Sequence, residues 1–225
     1  MTKPITIAID GPAGAGKSTV ARIVAQELGL VYLDTGAMYR CVALAAQRAN
    51  LSPNDPEAVS ILASSIRISL LPGNPTKVML NDEEVTNLIR TPEVSQLASE
   101  LSAISGVRQV LASQQAALIN AGGFVLEGRD TTSVVAPHAE VKVFLTASLE
   151  ERAERRRLEL EAKGENYDLN DLRKQIAERD HRDSTREDSP LIKVADAHLV
   201  ETFGLSPDDV AQKIILIARN LNLSV

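Results

Sequence analysis

The stretch that decides the fold is Gly11-Pro12-Ala13-Gly14-Ala15-Gly16-Lys17-Ser18-Thr19, which follows an apolar run at residues 5–9. The run predicts a buried strand, and apolar residues recur behind the glycines at helical spacing, at Val20, Ile23, Val24 and Leu28. A strand, a glycine-rich loop and a helix in this order are typical of a P-loop. An ordinary glycine turn before a helix is the alternative, and it accounts for neither the spacing nor the Lys-Ser pair.

The chemistry of this loop favours a bound phosphate. Glycine lets the backbone wrap closely around phosphate oxygens, and the N-terminus of the following helix adds positive potential. Lys17 supplies a mobile charge for the outer phosphates, and the hydroxyl of Ser18 is a candidate ligand of Mg²⁺. The loop therefore predicts a site for a nucleotide and its metal ion.

The composition indicates a globular protein that does not bind nucleic acid polymers. Its formal net charge of -6 argues against neutralising a polyphosphate backbone, and with 3% aromatic residues it lacks stacking surfaces for single strands. Cys41 is the only cysteine, which excludes an internal disulfide and fits a reducing compartment. No apolar run approaches membrane-spanning length, so we expect a cytoplasmic monomer without a membrane partner.

Apolar runs that come singly between helical segments predict an α/β fold with a parallel sheet covered on both faces. We predict its strands near residues 5–9, 31–33, 124–127, 141–145 and 197–200. Ligands of such sheets bind at the carboxyl ends of the strands. The polar segments that begin at Gly11, Asp34 and Gly128 all follow predicted strands. We therefore expect them to face one binding region.

A segment with the alternating pattern of antiparallel strands interrupts this α/β pattern. Alternating apolar and polar residues predict a small antiparallel sheet, with strands at 66–70, 77–80 and 83–85 and turns at 72–75 and 81–82. We treat this segment as an inserted subdomain at residues 63–103, flanked by core segments at 1–62 and 104–225.

Two helical segments, at 149–163 and 169–182, carry an unusual number of arginines. Those of the first are Arg152, Arg155, Arg156 and Arg157, and Arg179, Arg182 and Arg186 share one face with Asp183 on the second if its helix continues. Arginine binds phosphate oxygens bidentately and stays charged, which suits a phosphate clamp. Nearby glutamates also allow a solvated surface of ion pairs. Both interpretations stay open at the level of sequence.

These residues resemble the bacterial cytidylate kinase family over nearly the whole chain. The motifs that carry the resemblance are IDGPAGAGKST, YLDTGAMYR, a segment ending in GVRQVL, Gly128-Arg129-Asp130, VKVFLTAS followed by EERAERR, and RDHRDSTR. The resemblance implies a three-layer P-loop kinase fold with a five-stranded parallel sheet, an antiparallel insert that binds the nucleoside monophosphate, and a short helical lid at about 152–168. It also implies transfer of the ATP γ-phosphoryl group, with Mg²⁺, to CMP or dCMP.

The resemblance further implies roles for individual residues. The ATP-binding set is Gly11, Gly14, Ala15, Gly16, Lys17, Ser18 and Thr19, with Ser18 also the metal ligand. The acceptor-binding set is Thr35, Arg40, Ser99, Arg108, Arg129, Asp130, Arg179, Asp183 and Arg186. The catalytic set is Lys17, Arg129, Arg186 and a lid arginine, for which Arg155 and Arg157 are alternative registers.

Within the acceptor-binding set, Ser99, Arg108 and Asp130 match positions that face the cytosine base. The amino group of cytosine is a donor for Asp130, while its ring nitrogen and carbonyl oxygen are acceptors for Arg108. Uracil reverses two of these polarities and would leave buried groups unpaired. The resemblance therefore implies a preference for cytidine monophosphates.

The chain departs from the family pattern at Thr131-Thr132-Ser133, where an apolar residue, glycine and threonine are usual. If the loop needs a positive φ at position 132, a β-branched residue there is strained. We therefore expect an altered loop or weakened substrate binding.

Two other functions remain alternatives. One is a related P-loop kinase with another acceptor, such as UMP, AMP or a small metabolite like shikimate. The other is a non-enzymatic nucleotide switch, although the sequence has no Asn-Lys-x-Asp segment of the kind that reads guanine.

Overall fold

The computed structural model describes residues 4–71, 73, 76–162 and 164–221. The chain divides into two compact units, one of Met1–Val31 with Ala121–Val225 and one of Tyr32–Asn120. Of the turn predicted at 72–75, only Gly73 is described. The division of the sequence into an insert at 63–103 and a core on either side stays a prediction.

The described elements match the expected α/β pattern. The strands are β1 (Ile7–Asp10), β2 (Val31–Asp34), β3 (Ile68–Leu71), β4 (Lys77–Leu80), β5 (Glu83–Glu84), β6 (Phe124–Gly128), β7 (Val141–Thr146) and β8 (His198–Glu201). The helices are α1 (Lys17–Leu28), α2 (Thr35–Arg48), α3 (Pro56–Ser65), α4 (Pro92–Leu101), α5 (Ser105–Ile119), α6 (Leu149–Glu161), α7 (Leu169–Thr185) and α8 (Pro207–Asn220). A 3-10 turn lies at Leu88–Arg90 and a π-helical turn at Thr131–Val135.

The larger sheet has the strand order β2-β6-β1-β7-β8. The central strand β1 pairs in parallel with β6 on one side and with β7 on the other, so that Asp10 is the register partner of Gly128 and of Phe144. The strands β3, β4 and β5 form a separate antiparallel sheet. The predicted five-stranded parallel sheet and small antiparallel sheet are confirmed.

The first unit is built on the buried strand β1, whose residues Ile7, Ala8 and Ile9 are fully inaccessible to solvent. Such continuous burial is typical of a parallel strand covered on both faces. Two helices of this unit begin with capping boxes, Ser148 with Glu151 at α6 and Ser206 with Asp209 at α8. Helix α8 then buries one face at helical spacing, through Val210, Ala211, Ile214, Ile215 and Ala218.

The second unit is organised around α2, which is buried along most of its length. Its core also contains residues of the small sheet and of the turn that follows, including Val78, Leu80, Val85 and Ile89. Among the helices that the structure describes, none is both long and apolar enough to span a membrane.

The chain leaves β1 where only glycine fits. Gly11 has φ +153°, and a Cβ placed there would lie 2.0 Å from the carbonyl oxygen of Leu145 on β7. Gly14 has φ +76°, and its added Cβ would lie 3.0 Å from the Cβ of Arg152. Gly11 and Gly14 are therefore constrained by packing within the protein, in addition to any approach of a phosphate.

This geometry predicts unequal costs for two glycine-to-alanine substitutions. Gly29→Ala, at the C-terminal cap of α1, places its methyl group in open space at φ +65° and costs about 1 kcal/mol through backbone conformation alone. Gly11→Ala adds a backbone clash and costs about 3 kcal/mol or more. Urea unfolding followed by far-ultraviolet circular dichroism measures both, and equal destabilisation would contradict the packing described for Gly11.

Candidate active site

The phosphate loop ends on a helix N-terminus that no side chain caps. Gly16 is the N-cap of α1 in the left-handed conformation and offers no side-chain hydrogen bond. The first N–H groups of a helix have no partner within the helix, and an uncapped end leaves them available to an anion. The geometry of α1 is therefore that of a phosphate site.

Lys17 lies in this loop with 5% of its surface exposed, and its Nζ donates to the carbonyl oxygen of Pro12 at 2.8 Å. Burial and the nearby charge of Arg129 lower the pKa of Lys17 to about 7, although the carboxylate of Glu127 acts in the opposite direction. A phosphate beside this amine favours its charged form.

Glu127 is a site residue that sequence reasoning missed. It lies buried near the end of β6, and the hydroxyl of Ser18 donates to its Oε1 at 2.8 Å. Mg²⁺ is commonly held by one or two protein oxygens together with substrate phosphates, and this hydroxyl-carboxylate pair suits such a site. Within the described residues, no group of three or more His, Cys, Asp or Glu side chains is arranged to hold a metal ion.

Asp183 on α7 brings together arginines from distant parts of the chain. Its Oδ2 accepts from Nε of Arg129 at 2.8 Å, and its Oδ1 lies 3.4 Å from Nη1 of Arg186. Arg186 also donates through Nε to the carbonyl oxygen of Ser189 at 2.8 Å. The helix α7 ends at Thr185, so of the predicted face of Arg179, Arg182, Asp183 and Arg186 the last residue lies just beyond the helix, as its C-cap in extended conformation. Arg186 still reaches Asp183, and Arg129 binds the same carboxylate.

The charged side chains of this cluster shift one another's pKa values. Burial acts to raise the pKa of Asp183, but Arg129, Arg179 and Arg186 outweigh it and hold that pKa below its ordinary value. For Arg129, burial acts to lower the pKa, and Asp183 and Glu127 hold it above its ordinary value instead. The charges of Arg129 and Arg179 also lower the pKa of Lys17. Four basic side chains thus act on shared carboxylates, and a bound anion would relieve the repulsion of Lys17 by Arg129 and Arg179.

The arginines of α6 have different roles. Arg152 is buried; its Nη1 donates to the carbonyl oxygen of Ala13 at 2.9 Å and pairs with Asp180, which also accepts from the Ala13 N–H at 3.0 Å. This pair holds the backbone of the phosphate loop, a structural function that the sequence did not identify.

Arg155 and Arg157, the alternative lid arginines, occupy different environments. Arg155 donates to the hydroxyl of Thr202 at 2.9 Å and to its carbonyl oxygen at 3.2 Å, and a Cβ added to Gly16 would lie 3.9 Å from its Nη1. Arg157 instead pairs with Glu154 and Glu161 on its own helix. Arg155 is therefore the one that lies beside the phosphate loop.

The second unit holds an arginine pair around Asp34. This carboxylate caps α2 by accepting from the Ala37 N–H at 2.9 Å, and its Oδ2 lies 3.1 Å from Arg90 and 3.6 Å from Arg40. Nη1 of Arg40 is buried and has no hydrogen-bond partner among the described residues. Thr35, the first residue of α2, is also buried. Sequence reasoning named Arg40 and Thr35 but missed Arg90.

Arg108 and Ser99 are buried in the same unit, with 3% and 5% of their surfaces exposed. Nη1 of Arg108 donates to the carbonyl oxygen of Ser102 at 3.0 Å, and its guanidinium lies 5.6 Å from the centre of the Tyr39 ring. Stacking and hydrogen bonding together fix the orientation of a cation that ordinarily lies at the surface.

The expected strain at Thr132 is not found. Positive φ at non-glycine residues occurs at Asn50, Asn81 and Ser189 in the described chain, and Thr132 lies within the π-helical turn. Its N–H and hydroxyl both donate to Asp10, so the turn accepts a β-branched residue. Our expectation of an altered loop assumed a positive φ at position 132, and that assumption was wrong. Asp130, just before this turn, is buried.

The Asp183 cluster predicts a buried, pH-dependent contribution to stability. Asp183→Asn leaves arginines without their charge partner and lowers the free energy of unfolding by about 3 kcal/mol. The matched change Asp196→Asn, at an exposed carboxylate that pairs with Lys142, has little effect. Because the pKa of Asp183 is below its ordinary value of 3.8, its contribution is complete above that value and is lost as the pH falls. The difference in urea midpoint between wild type and Asp183→Asn therefore shrinks from pH 5 to pH 3; a constant difference contradicts this account.

Known proteins similar to this chain match it over nearly its full length. The family model described as cytidylate kinase matches residues 7–220. A cytidylate kinase from Listeria welshimeri is 51% identical over 219 residues, which cover 97% of this chain and 98% of that protein. A cytidylate kinase from Ligilactobacillus salivarius is 48% identical over 223 residues, covering 99% of this chain and 100% of that protein.

Solved structures of low sequence identity share the fold alone. A gluconokinase from Sinorhizobium meliloti 1021 is 14% identical with a TM-score of 0.50, and the match covers 99% of this chain and 98% of that one. An uncharacterized protein from Eubacterium ventriosum is 12% identical with a TM-score of 0.54, covering 96% and 98%. The family model and the curated relatives carry the stronger conclusion: this chain belongs to the cytidylate kinase family.

Proposed function

We propose that this chain transfers the γ-phosphoryl group of ATP, with Mg²⁺, to CMP or dCMP and releases ADP with CDP or dCDP. Membership of the family makes it a phosphotransferase, which removes the non-enzymatic switch from consideration. The observation that carries the proposal is a cluster of basic side chains: Arg129, Arg179 and Arg186 act on Asp183, and the charges of Arg129 and Arg179 also act on Lys17. We further propose that the protein acts as a cytoplasmic monomer; its one cysteine, Cys41, is a buried free thiol, as suits a reducing compartment.

ATP binds through the phosphate loop in this proposal. Backbone N–H groups at the start of α1 receive the phosphate oxygens, and the amine of Lys17 moves from the carbonyl oxygen of Pro12 to the outer phosphates. Ser18 and Glu127 would hold Mg²⁺, which would neutralise charge on the phosphate oxygens. The Arg152–Asp180 pair holds the backbone of the phosphate loop in place when the negatively charged phosphates bind.

The phosphate of the acceptor binds to Arg40, Arg129 and Arg186. The buried Nη1 of Arg40 has an unmet capacity to donate, and Arg129 is already oriented by Asp183. A phosphate oxygen is the nucleophile and is largely deprotonated at neutral pH, so the reaction needs no general base. The protein contributes alignment and charge stabilisation.

Lys17 and Arg155 stabilise the negative charge on the transferring phosphoryl group, and Arg155 already lies beside Gly16. We therefore favour Arg155 over Arg157, because the ion pairs of Arg157 hold it along its own helix. Arginine suits this position because its charge does not change during the reaction.

Ser99, Arg108 and Asp130 bind the cytosine base, while Thr35, Arg179 and Asp183 contact the remainder of the nucleotide. The burial of Ser99, Arg108 and Asp130 supports this assignment, since buried polar groups discriminate strongly against a ligand that leaves them unpaired. The orientation of Arg108 by Tyr39 and Ser102 supplies the rigidity that such discrimination needs.

The proposal is tested by an assay of ADP release with ATP, Mg²⁺ and each of CMP, dCMP, UMP and AMP. We expect kcat/KM for the cytidine monophosphates to exceed that for UMP by about 100-fold, since uracil leaves buried groups unpaired. Asp130→Asn adds an amide that donates to uracil, and it lowers the CMP to UMP ratio about tenfold. The matched control Asp196→Asn leaves the ratio unchanged. Equal use of all four acceptors by the wild type would contradict the proposal.

A further inference from the structure

We infer that Asp10, together with the hydroxyl groups of Thr131 and Thr132, is a positioning device that locks the turn carrying Arg129 and Asp130 onto the start of the phosphate loop. The inference rests on the proposed function, because it gives Arg129 and Asp130 their value as ligands of the acceptor nucleotide. Asp10 itself does not touch a substrate in this account.

The contacts of Asp10 are saturated. Its Oδ1 accepts from the N–H of Thr131 at 2.9 Å and from the hydroxyl of Thr131 at 2.8 Å. Its Oδ2 accepts from the N–H of Thr132 at 2.7 Å and from the hydroxyl of Thr132 at 2.6 Å. Each carboxylate oxygen thus receives one backbone and one side-chain donor, the charge-assisted type of hydrogen bond.

The three residues are withdrawn from solvent. Asp10 and Thr131 have no exposed surface, and Thr132 has 1%. Burial raises the pKa of Asp10, while its four hydrogen bonds oppose that rise. A buried carboxylate is costly unless its oxygens are satisfied, so the geometry of the four donors is tightly constrained.

Asp10 holds both ends of the segment that carries the acceptor ligands. Its backbone is the register partner of Gly128 in the pairing of β1 with β6, and its side chain binds residues 131 and 132. Only Arg129 and Asp130 lie between these two anchor points. The carbonyl oxygen of Asp130 also accepts from the N–H of Val134 at 2.9 Å, which fixes the far side of the turn.

The same residue also fixes the position of the phosphate loop. Asp10 is followed directly by Gly11, whose close approach to the carbonyl oxygen of Leu145 leaves no room for a side chain. The residue that ends β1 therefore joins the ATP-binding loop through the chain and the acceptor-binding turn through hydrogen bonds. Small errors in the distance between the two phosphate sites are costly for in-line transfer.

The hydroxyl groups of Thr131 and Thr132 add two hydrogen bonds to Asp10 beyond the two that backbone N–H groups donate. An apolar residue and a glycine, the usual pair in the family this sequence resembles, supply two backbone donors and no hydroxyl. Two of the four hydrogen bonds of Asp10 therefore depend on the side chains at 131 and 132. This is a positive function for the departure that sequence reasoning expected to be harmful.

The test compares Thr132→Val, which is nearly isosteric and lacks the hydroxyl, with Thr132→Ser, which retains it. We expect Thr132→Val to raise KM for CMP about tenfold, equivalent to about 1.4 kcal/mol, while KM for ATP is unchanged. Thr132→Ser restores KM for CMP to nearly the wild-type value. Thr6→Val serves as a matched control, because Thr6 is a buried threonine just before β1 that makes none of the hydrogen bonds to Asp10, and it leaves both constants unchanged.

Thr131→Val removes the hydroxyl from the other carboxylate oxygen and is measured in parallel, so that the comparison stands if one variant does not fold. The inference is overturned if both valine variants match Thr6→Val, if KM rises equally for CMP and ATP, or if Thr132→Ser is no better than Thr132→Val. Failure of the proposed function has a different signature, since the wild type itself would then not phosphorylate CMP.

Discussion

The structure depends on a concentration of positive charge at the carboxyl ends of the central strands. Lys17 and Arg129 reach this region from the phosphate loop and from the end of β6, and Arg179 and Arg186 reach it from α7. Such charges are stable inside a protein only when carboxylates face them, and Asp183 and Glu127 do so in part. Basic side chains held close together in this way suit a bound anion. Phosphate is the ligand whose charge and oxygen geometry complete the site.

Carboxylates orient arginines within each of the two units. Asp183 orients Arg129 and Arg186, Asp180 holds Arg152 against the phosphate loop, and Asp34 lies between Arg40 and Arg90. In each case an acidic side chain fixes a guanidinium before any ligand is bound. Preorganisation of this kind lowers the reorganisation needed during phosphoryl transfer.

The parts of the candidate site that could be predicted from the sequence are those whose residues lie close together along the chain. The phosphate loop follows from nine consecutive residues, and the placing of Arg179, Arg182 and Asp183 on one helix follows from their three- and four-residue spacing, although α7 ends one residue before Arg186. Glu127 was missed because its partner Ser18 lies 109 residues away in the sequence. The structural contact of Arg152 with Ala13 was missed because 139 residues separate the two. The expectation of strain at Thr132 was wrong for the same reason: the acceptor of its hydrogen bonds is 122 residues earlier. Only the fold brings these groups together.

The central claim is that the cluster of basic side chains directs the γ-phosphoryl group of ATP to the acceptor nucleotide and not to water. A single-turnover experiment with ATP labelled at the γ-phosphate, with and without CMP, measures this partition directly. The account predicts that the label appears in CDP when CMP is present and that little inorganic phosphate forms in its absence. Release of labelled inorganic phosphate at the same rate with and without CMP would contradict it.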